Sequence, residues 1–173
     1  SLAFHTDAGV TKNDSTIGTL GIYFTHSYDS VFANGASRQL CKEYAETIHH
    51  SILRDIRAQF NPTWRSRGNK YASYFEARTP RVPAMLLELL SHQNFADMRY
   101  GHDPRFRFAV SRAIYKAMLR FSCKQHQQKY VVTPLPVSHM AAHLTDKGQV
   151  ELTWQAVEDT LEPTAKPNRY IVY

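Results

Sequence analysis

Two titratable residues, each set after a short apolar run, carry the chemistry this chain offers. Glu88 closes the run Pro83-Ala84-Met85-Leu86-Leu87, and His5 follows Leu2-Ala3-Phe4. A run as apolar as the first is expected to form a strand buried on both faces, as in a parallel sheet covered by helices. Open α/β sheets place their chemistry at the carboxyl ends of such strands, and a carboxylate there needs a partner to offset its desolvation. Glu88 is therefore either a catalytic carboxylate or half of an ion pair with Arg81 or Arg78. His5 is either a zinc ligand, a normal task for a neutral imidazole at a strand end, or a structural histidine. No HExxH motif accompanies it. One imidazole and one carboxylate on neighbouring strand ends point to a metal-assisted hydrolase.

Other polar residues carry weaker signals. Asp7 and Asp14 suit turns, His49-His50 falls mid-helix on a flank, and His26, His92 and His102 lie in expected loops. There is no GxSxG, P-loop or GxGxxG motif, and Ser91 shows no base or orienting partner. Cys41 and Cys123 sit inside helical patterns with no CxxC and read as small buried hydrophobes, with a mutual disulfide left open.

The elements that must position these residues follow from periodicity. Leu2 to His5 is expected as a strand, then a polar loop from Gly9 to Ser15, then a strand from Thr16 to Thr25. Ser37 is expected to cap a long helix to Phe60, with Leu40, Tyr44, Ile48, Ile52, Ile56 and Phe60 recurring every four residues. Asn61-Pro62 stops it. Tyr71 to Phe75 reads as a third strand, Arg78 to Pro83 as a stiff connector, and Pro83 onward as the Glu88 strand. Asp103 caps a further helix with Pro104 at its first position. Its apolar face is Phe106, Val110, Ala113, Ile114, Ala117, Met118 and Phe121. Arg105, Arg112, Lys116 and Arg120 are expected on a water-facing side. Past Thr133 the period drops to two. Val150, Leu152, Trp154 and Ala156 alternate with polar residues after the turn Asp146-Lys147-Gly148, and Arg169 to Tyr173 reads as another strand.

Bulk properties fit a folded protein: 173 residues, 43% hydrophobic and 12% aromatic. A formal charge of +6 and a pI near 9.4 favour an anionic partner such as nucleic acid, a membrane surface or cell wall. The basic residues are scattered, and no nucleic-acid-binding module is present. No stretch approaches the ~18 apolar residues that span a bilayer. Ser1-Leu2-Ala3 reads as the middle of a strand, so the chain is expected to be part of a longer protein.

Taken together, these residues resemble the zinc-dependent N-acetylmuramoyl-L-alanine amidase family of the amidase-3 type. Ala3-Phe4-His5-Thr6-Asp7-Ala8 is similar to that family's Ser-x-His-x-Asn/Asp-Ala pattern, with Ala3 for the usual Ser. Pro83-Ala84-Met85-Leu86-Leu87-Glu88 is similar to Pro-Ala-x-Leu-x-Glu, and Asn94 takes the last position of the Gly-Phe-x-Ser-Asn that follows. Leu90-Ser91 replaces Gly-Phe and Gln93 replaces Ser. The likeness spans roughly residues 1–122. The tail resembles the start of a fibronectin type III domain, with Trp154 at the core-tryptophan position and Tyr170 and Val172 in the next strand.

The resemblance implies an amidase-type α/β domain over 1–130, with a mostly parallel sheet flanked by helices, and an all-β fibronectin III-like sandwich segment over 131–173. It implies hydrolysis of the amide between N-acetylmuramic acid and L-alanine in peptidoglycan, at the cell surface or in the periplasm. Zn²⁺ would be the cofactor, with His5 a ligand, Glu88 the catalytic carboxylate, and Asp7 and Asn94 in contact with substrate. The family's two other zinc ligands, a His in a Gly-rich motif and a Glu after the first helix, are expected upstream of Ser1. The altered loop at Leu90-Ser91 supports an alternative, a catalytically degenerate module for glycan binding or scaffolding.

Overall fold

A computed structural model describes residues 1–8, 14–26 and 30–172. The elements are β1 (Leu2–Asp7), β2 (Thr19–Tyr23), α1 (Leu40–Gln59), β3 (Ser66–Tyr71), α2 (Phe75–Arg78), β4 (Met85–Ser91), α3 (Phe95–Gly101), α4 (Pro104–Gln125), β5 (Ser138–Leu144) and β6 (Val150–Gln155). They divide into two compact units, Ser1–Ser122 and Cys123–Tyr173. The division falls in the last turn of α4.

In the first unit four strands form one sheet in the order β1-β4-β2-β3. β1 pairs with β4 and β2 with β3 in parallel, while β2 and β4 run antiparallel. This is the expected mostly parallel α/β sheet. The four-residue repeat of α1 builds its core, with Ile48, Ile52 and Ile56 wholly buried against Met85, Leu87 and Leu89 of β4 and Phe106, Val110 and Ala113 of α4. Trp64 donates from Nε1 to Thr19 Oγ1 (2.9 Å), and Thr19 donates to the Leu89 carbonyl (2.9 Å), so the buried indole ties β2 to β4. Cys41 and Cys123 are both buried and free.

Several expectations shift. The strand read at Tyr71–Phe75 lies earlier, at Ser66–Tyr71, and Phe75 opens the short helix α2. β3 is a largely polar edge strand whose place is set by pairing with β2, so apolar patterning does not reveal it. The strand expected over Thr16–Thr25 shortens to Thr19–Tyr23, and α1 starts at Leu40, with Ser37 Oγ accepting from Gln39 N (3.2 Å) in the turn before it. Residues 9–13 of the expected polar loop lie outside the described residues. Asp103 caps α4 as expected, its Oδ1 accepting from Arg105 N (2.8 Å). Lys116, expected in water, is buried and paired with the buried Asp55 of α1 at 2.7 Å. Met118, expected in the core, is exposed.

His49 also departs from the flank position expected of it. It is buried, with Nδ1 2.9 Å from Asn69 Oδ1 and Nε2 3.1 Å from Ser66 Oγ. An amide oxygen only accepts, so Nδ1 carries the proton and Nε2 accepts from the serine. Gly21 makes room for this pair, since a Cβ there would meet Asn69 Oδ1 at 1.9 Å. Burial lowers the His49 pKa below its usual 6.5, partly offset by the Asn69 bond. The unfolded chain therefore takes up this proton first as pH falls, and the folded state loses stability below about pH 6.5. Melting curves from pH 8 to 5 should show a smaller acid-side fall in Tm for His49→Gln than for the native protein. Equal slopes would show that His49 does not report on folding.

In the second unit β5 and β6 form an antiparallel hairpin. The expected turn at Asp146-Lys147-Gly148 is present, closed by Thr145 N to Gln149 O (2.8 Å) with Gly148 at φ +71. Trp154 meets Tyr170 edge-on at 5.2 Å. Buried Glu162 accepts from Tyr130 Oη (2.6 Å) and Thr164 Oγ1 (2.8 Å). Residues 169–172 form no strand, contrary to expectation, and Tyr173 lies outside the described residues.

Candidate active site

Register brings the two focal residues together. His5 of β1 lies opposite Glu88 of β4, and Glu88 lies opposite Leu20 of β2. Directly paired residues project from the same face, so His5, Glu88 and Leu20 form one row across the sheet. Met85, Leu87 and Leu89 alternate to the other face and enter the helical core. Neither focal residue ends its strand: β4 continues for three residues to Ser91, and β1 runs on to Asp7. The site lies across a sheet face, not at a strand tip.

A third side chain crosses that face. On β3, Ser66 and Asn69 both bond His49 of α1. Residues three apart share a face only if the strand slips by one. Gly68, at φ +78, supplies the slip, and the β2–β3 register shifts there. Arg67 is thereby turned to the opposite face, where Glu88 lies. From β3 it forms an ion pair with Asp7 of β1, through Nη1 and Oδ2. The two strands are the outer edges of the sheet, three spacings or about 14 Å apart. Arg67 must therefore lie flat over β2 and β4, beside Glu88.

The electrostatics follow from this arrangement. Glu88 is half-buried, and its Oε2 is buried with no hydrogen-bond partner. Burial raises its pKa, the Asp7 carboxylate adds to the rise, and His5, Arg67 and His92 oppose it. Glu88 forms no ion pair with Arg78 or Arg81, the structural alternative raised from the sequence; the guanidinium acting on it is that of Arg67. Asp7, an expected substrate contact, is committed to Arg67.

Two further residues lie here: Glu76, which the sequence did not single out, and His92, one of the histidines expected in loops. Glu76 of α2 places Oε1 3.8 Å from His5 Nε2. It was hidden because α2 falls beside a stretch read as strand. His92 bonds Thr6 Oγ1 through Nδ1 (3.0 Å), and its backbone N–H donates to the Asp7 carbonyl (3.1 Å). Asn94, the other expected substrate contact, has no exposed surface. Its Oδ1 accepts from Asp97 N (2.9 Å), capping α3, and its Nδ2 donates to the Ser15 carbonyl (3.1 Å). Asn three residues before an acidic residue is an N-cap signal, so α3 was legible.

A catalytic zinc takes three protein ligands, commonly His and Glu. His5 has suitable chemistry, and an orphaned carboxylate oxygen lies on the neighbouring strand. Among the described residues, however, no group of three His, Cys, Asp or Glu side chains is assembled to hold a metal ion. The residues present fit one corner of a zinc site and do not complete it.

No family model matches the sequence, and no curated protein matches it. Solved structures do match. N-acetylmuramoyl-L-alanine amidase AmiC2 of Nostoc punctiforme aligns over 70% of this chain and 56% of its own, at 19% identity and a TM-score of 0.54. N-acetylmuramoyl-L-alanine amidase of Clostridium difficile 630 aligns over 70% and 56%, at 20% identity and 0.53. The catalytic domain of the amidase CwlV of Bacillus (Paenibacillus) polymyxa var. colistinus aligns over 74% and 57%, at 20% and 0.51. The chain thus spans somewhat more than half the length of these structures. It shares the mixed α/β fold of N-acetylmuramoyl-L-alanine amidases.

Proposed function

We propose that this chain is the greater part of a hydrolase domain that cleaves the amide between N-acetylmuramic acid and L-alanine in peptidoglycan. The observation that carries this is the in-register pairing of His5 with Glu88 on one face of a sheet whose fold is shared with such amidases. Glu88 is suited to take a proton from an attacking water and pass it to the leaving amine, work that favours a carboxylate with a raised pKa. The orphaned Oε2 is the atom to hold that proton. A degenerate glycan-binding module has no use for such a carboxylate.

Zinc belongs to this proposal, with His5 as one ligand and the remaining donors supplied from outside the described residues. Bound zinc polarises a carbonyl and acidifies a water. The substrate places the activity outside the cytoplasm, at the cell wall. No helix among the described residues is long and apolar enough to cross a membrane. The hairpin β5–β6, with Trp154 against Tyr170, supports reading residues 131–173 as the opening of a fibronectin III-like spacer.

The test is zinc content and peptidoglycan digestion by the intact protein. His5→Ala is expected to lose bound zinc in elemental analysis while keeping the native circular dichroism. A metal-free native protein, or full zinc retention by the variant, refutes the assignment of His5.

A further inference from the structure

Burying a polar atom without a partner costs about 1–3 kcal/mol, so a folded chain keeps few such atoms and each calls for an explanation. Six buried side-chain polar atoms among the described residues lack a hydrogen-bond partner, one of them, Nη2 of Arg54, being ion-paired with Asp55; three lie in this one cluster: Oε2 of Glu88 with Nε and Nη2 of Arg67. The arginine atoms are not a random pair. Nε–H and Nη2–H form one edge of the guanidinium, two parallel donors that suit a single oxygen or a carboxylate. The remaining nitrogen, Nη1, is taken by Asp7. Asp7 thus fixes the plane of the group and leaves the donor edge free. Because Arg67 spans the sheet face from β3 to β1, that edge lies on the face from which Glu88 projects. An unused acceptor and an unused pair of donors therefore share one partly buried surface.

We propose that Arg67 is a catalytic residue of this site, its Nε–H and Nη2–H edge receiving the carbonyl oxygen of the scissile amide. The proposal rests on the amidase reading above. Water attacks the carbonyl carbon, and its proton passes to Glu88. The carbon–oxygen π pair moves onto the carbonyl oxygen, which becomes an oxyanion held by the two Arg67 donors. When the tetrahedral centre collapses, the C–N bond breaks, and Glu88 returns the proton to the departing nitrogen. The products are a carboxylic acid and an amine, and no further reactant is consumed. Preorganised donors aimed where negative charge develops stabilise the transition state more than the ground state. Arg67 should accordingly act on kcat more than on KM. Asp7 is a positioning residue in this scheme, since it touches Arg67 and not substrate.

The intact protein is assayed on peptidoglycan as the native form, Arg67→Lys and Arg67→Ala. Lysine keeps the charge and loses the two-donor edge. The expected result is a fall in kcat of about 10²–10³ for Arg67→Lys with KM changed by less than about threefold. Added guanidinium ion should restore part of the activity of Arg67→Ala. A phosphinate analogue of an N-acyl alanine amide, whose anionic oxygen mimics the oxyanion, should bind Arg67→Lys about 100-fold more weakly than the native protein. Near-native turnover by Arg67→Lys overturns the proposal. So does a loss in Arg67→Ala that guanidinium does not rescue and that tracks a lowered Tm, which would make Arg67 a structural strap. A native protein inactive on peptidoglycan sinks the amidase reading instead, and analogue binding then decides the role of Arg67: equal affinity for native and Arg67→Lys rejects it.

Discussion

Glu88→Gln should leave a folded protein with peptidoglycan hydrolysis reduced by about 10²–10⁴, the range a general base contributes. The two side chains are nearly the same size, but an amide cannot take up a proton from water. The fold should be indifferent to the change. Glu88 makes no ion pair with Arg78 or Arg81, its Oε2 has no partner to lose, and a neutral amide is easier to bury than a carboxylate. The variant should therefore melt at or above the native temperature. Initial rates on purified peptidoglycan, measured beside near-ultraviolet circular dichroism and a thermal melt, make the check. Turnover close to native would remove Glu88 from the chemistry. A large fall in Tm together with lost activity would assign it to the fold instead.

The largest expected effect on stability lies behind the site, at Asp97. This carboxylate is wholly buried. Its Oδ1 accepts from Ile17 N (2.8 Å), and its Oδ2 accepts from Ser91 N (2.8 Å) and Gly18 N (3.3 Å). Its own N–H is capped by Asn94. One side chain thereby ties the approach to β2 to the end of β4. Asp97→Ala would leave three backbone donors without an acceptor, at about 1–3 kcal/mol each. Allowing for relaxation, the loss should be about 3–5 kcal/mol, a large share of the 5–15 kcal/mol typical of a domain. Tm should fall by about 10 °C or more. Asp97→Asn, which keeps one accepting oxygen, should fall between the two. A Tm for Asp97→Ala within about 2 °C of native would show that other acceptors replace the carboxylate. Because Ser91 lies three residues past Glu88 on β4, both variants should also lower activity more than their stability loss explains.

These two residues differ in how visible they were. Glu88 stood out because it interrupts an apolar run, and a charge in such a run has few bland explanations. Asp97 was invisible, since an acidic residue near the start of a helix is ordinary. Its importance comes largely from the backbone groups of Ile17 and Gly18, far earlier in the chain. Asn94 differs again: its place in a motif suggested contact with substrate, and in the fold it is buried and caps α3. Lys116 was expected on the water-facing side of its helix and His49 on a helix flank, while each is buried with a specific partner, Asp55 in one case and Asn69 with Ser66 in the other.

The sequence by itself determined what burial periodicity writes locally: the α1 stripe through Ile48, Ile52 and Ile56, the buried β4 strand, the capped start of α4 and the turn at Gly148. Each reflects the partition of side chains between core and water within a few turns of chain, so neighbouring residues carry the signal. Tertiary structure alone decided that His5 faces Glu88, that Gly68 turns Arg67 to their side, and that Arg67 reaches Asp7 across the sheet. Those outcomes depend on strand order and register, which are set by long-range pairing. No short stretch of sequence contains that information.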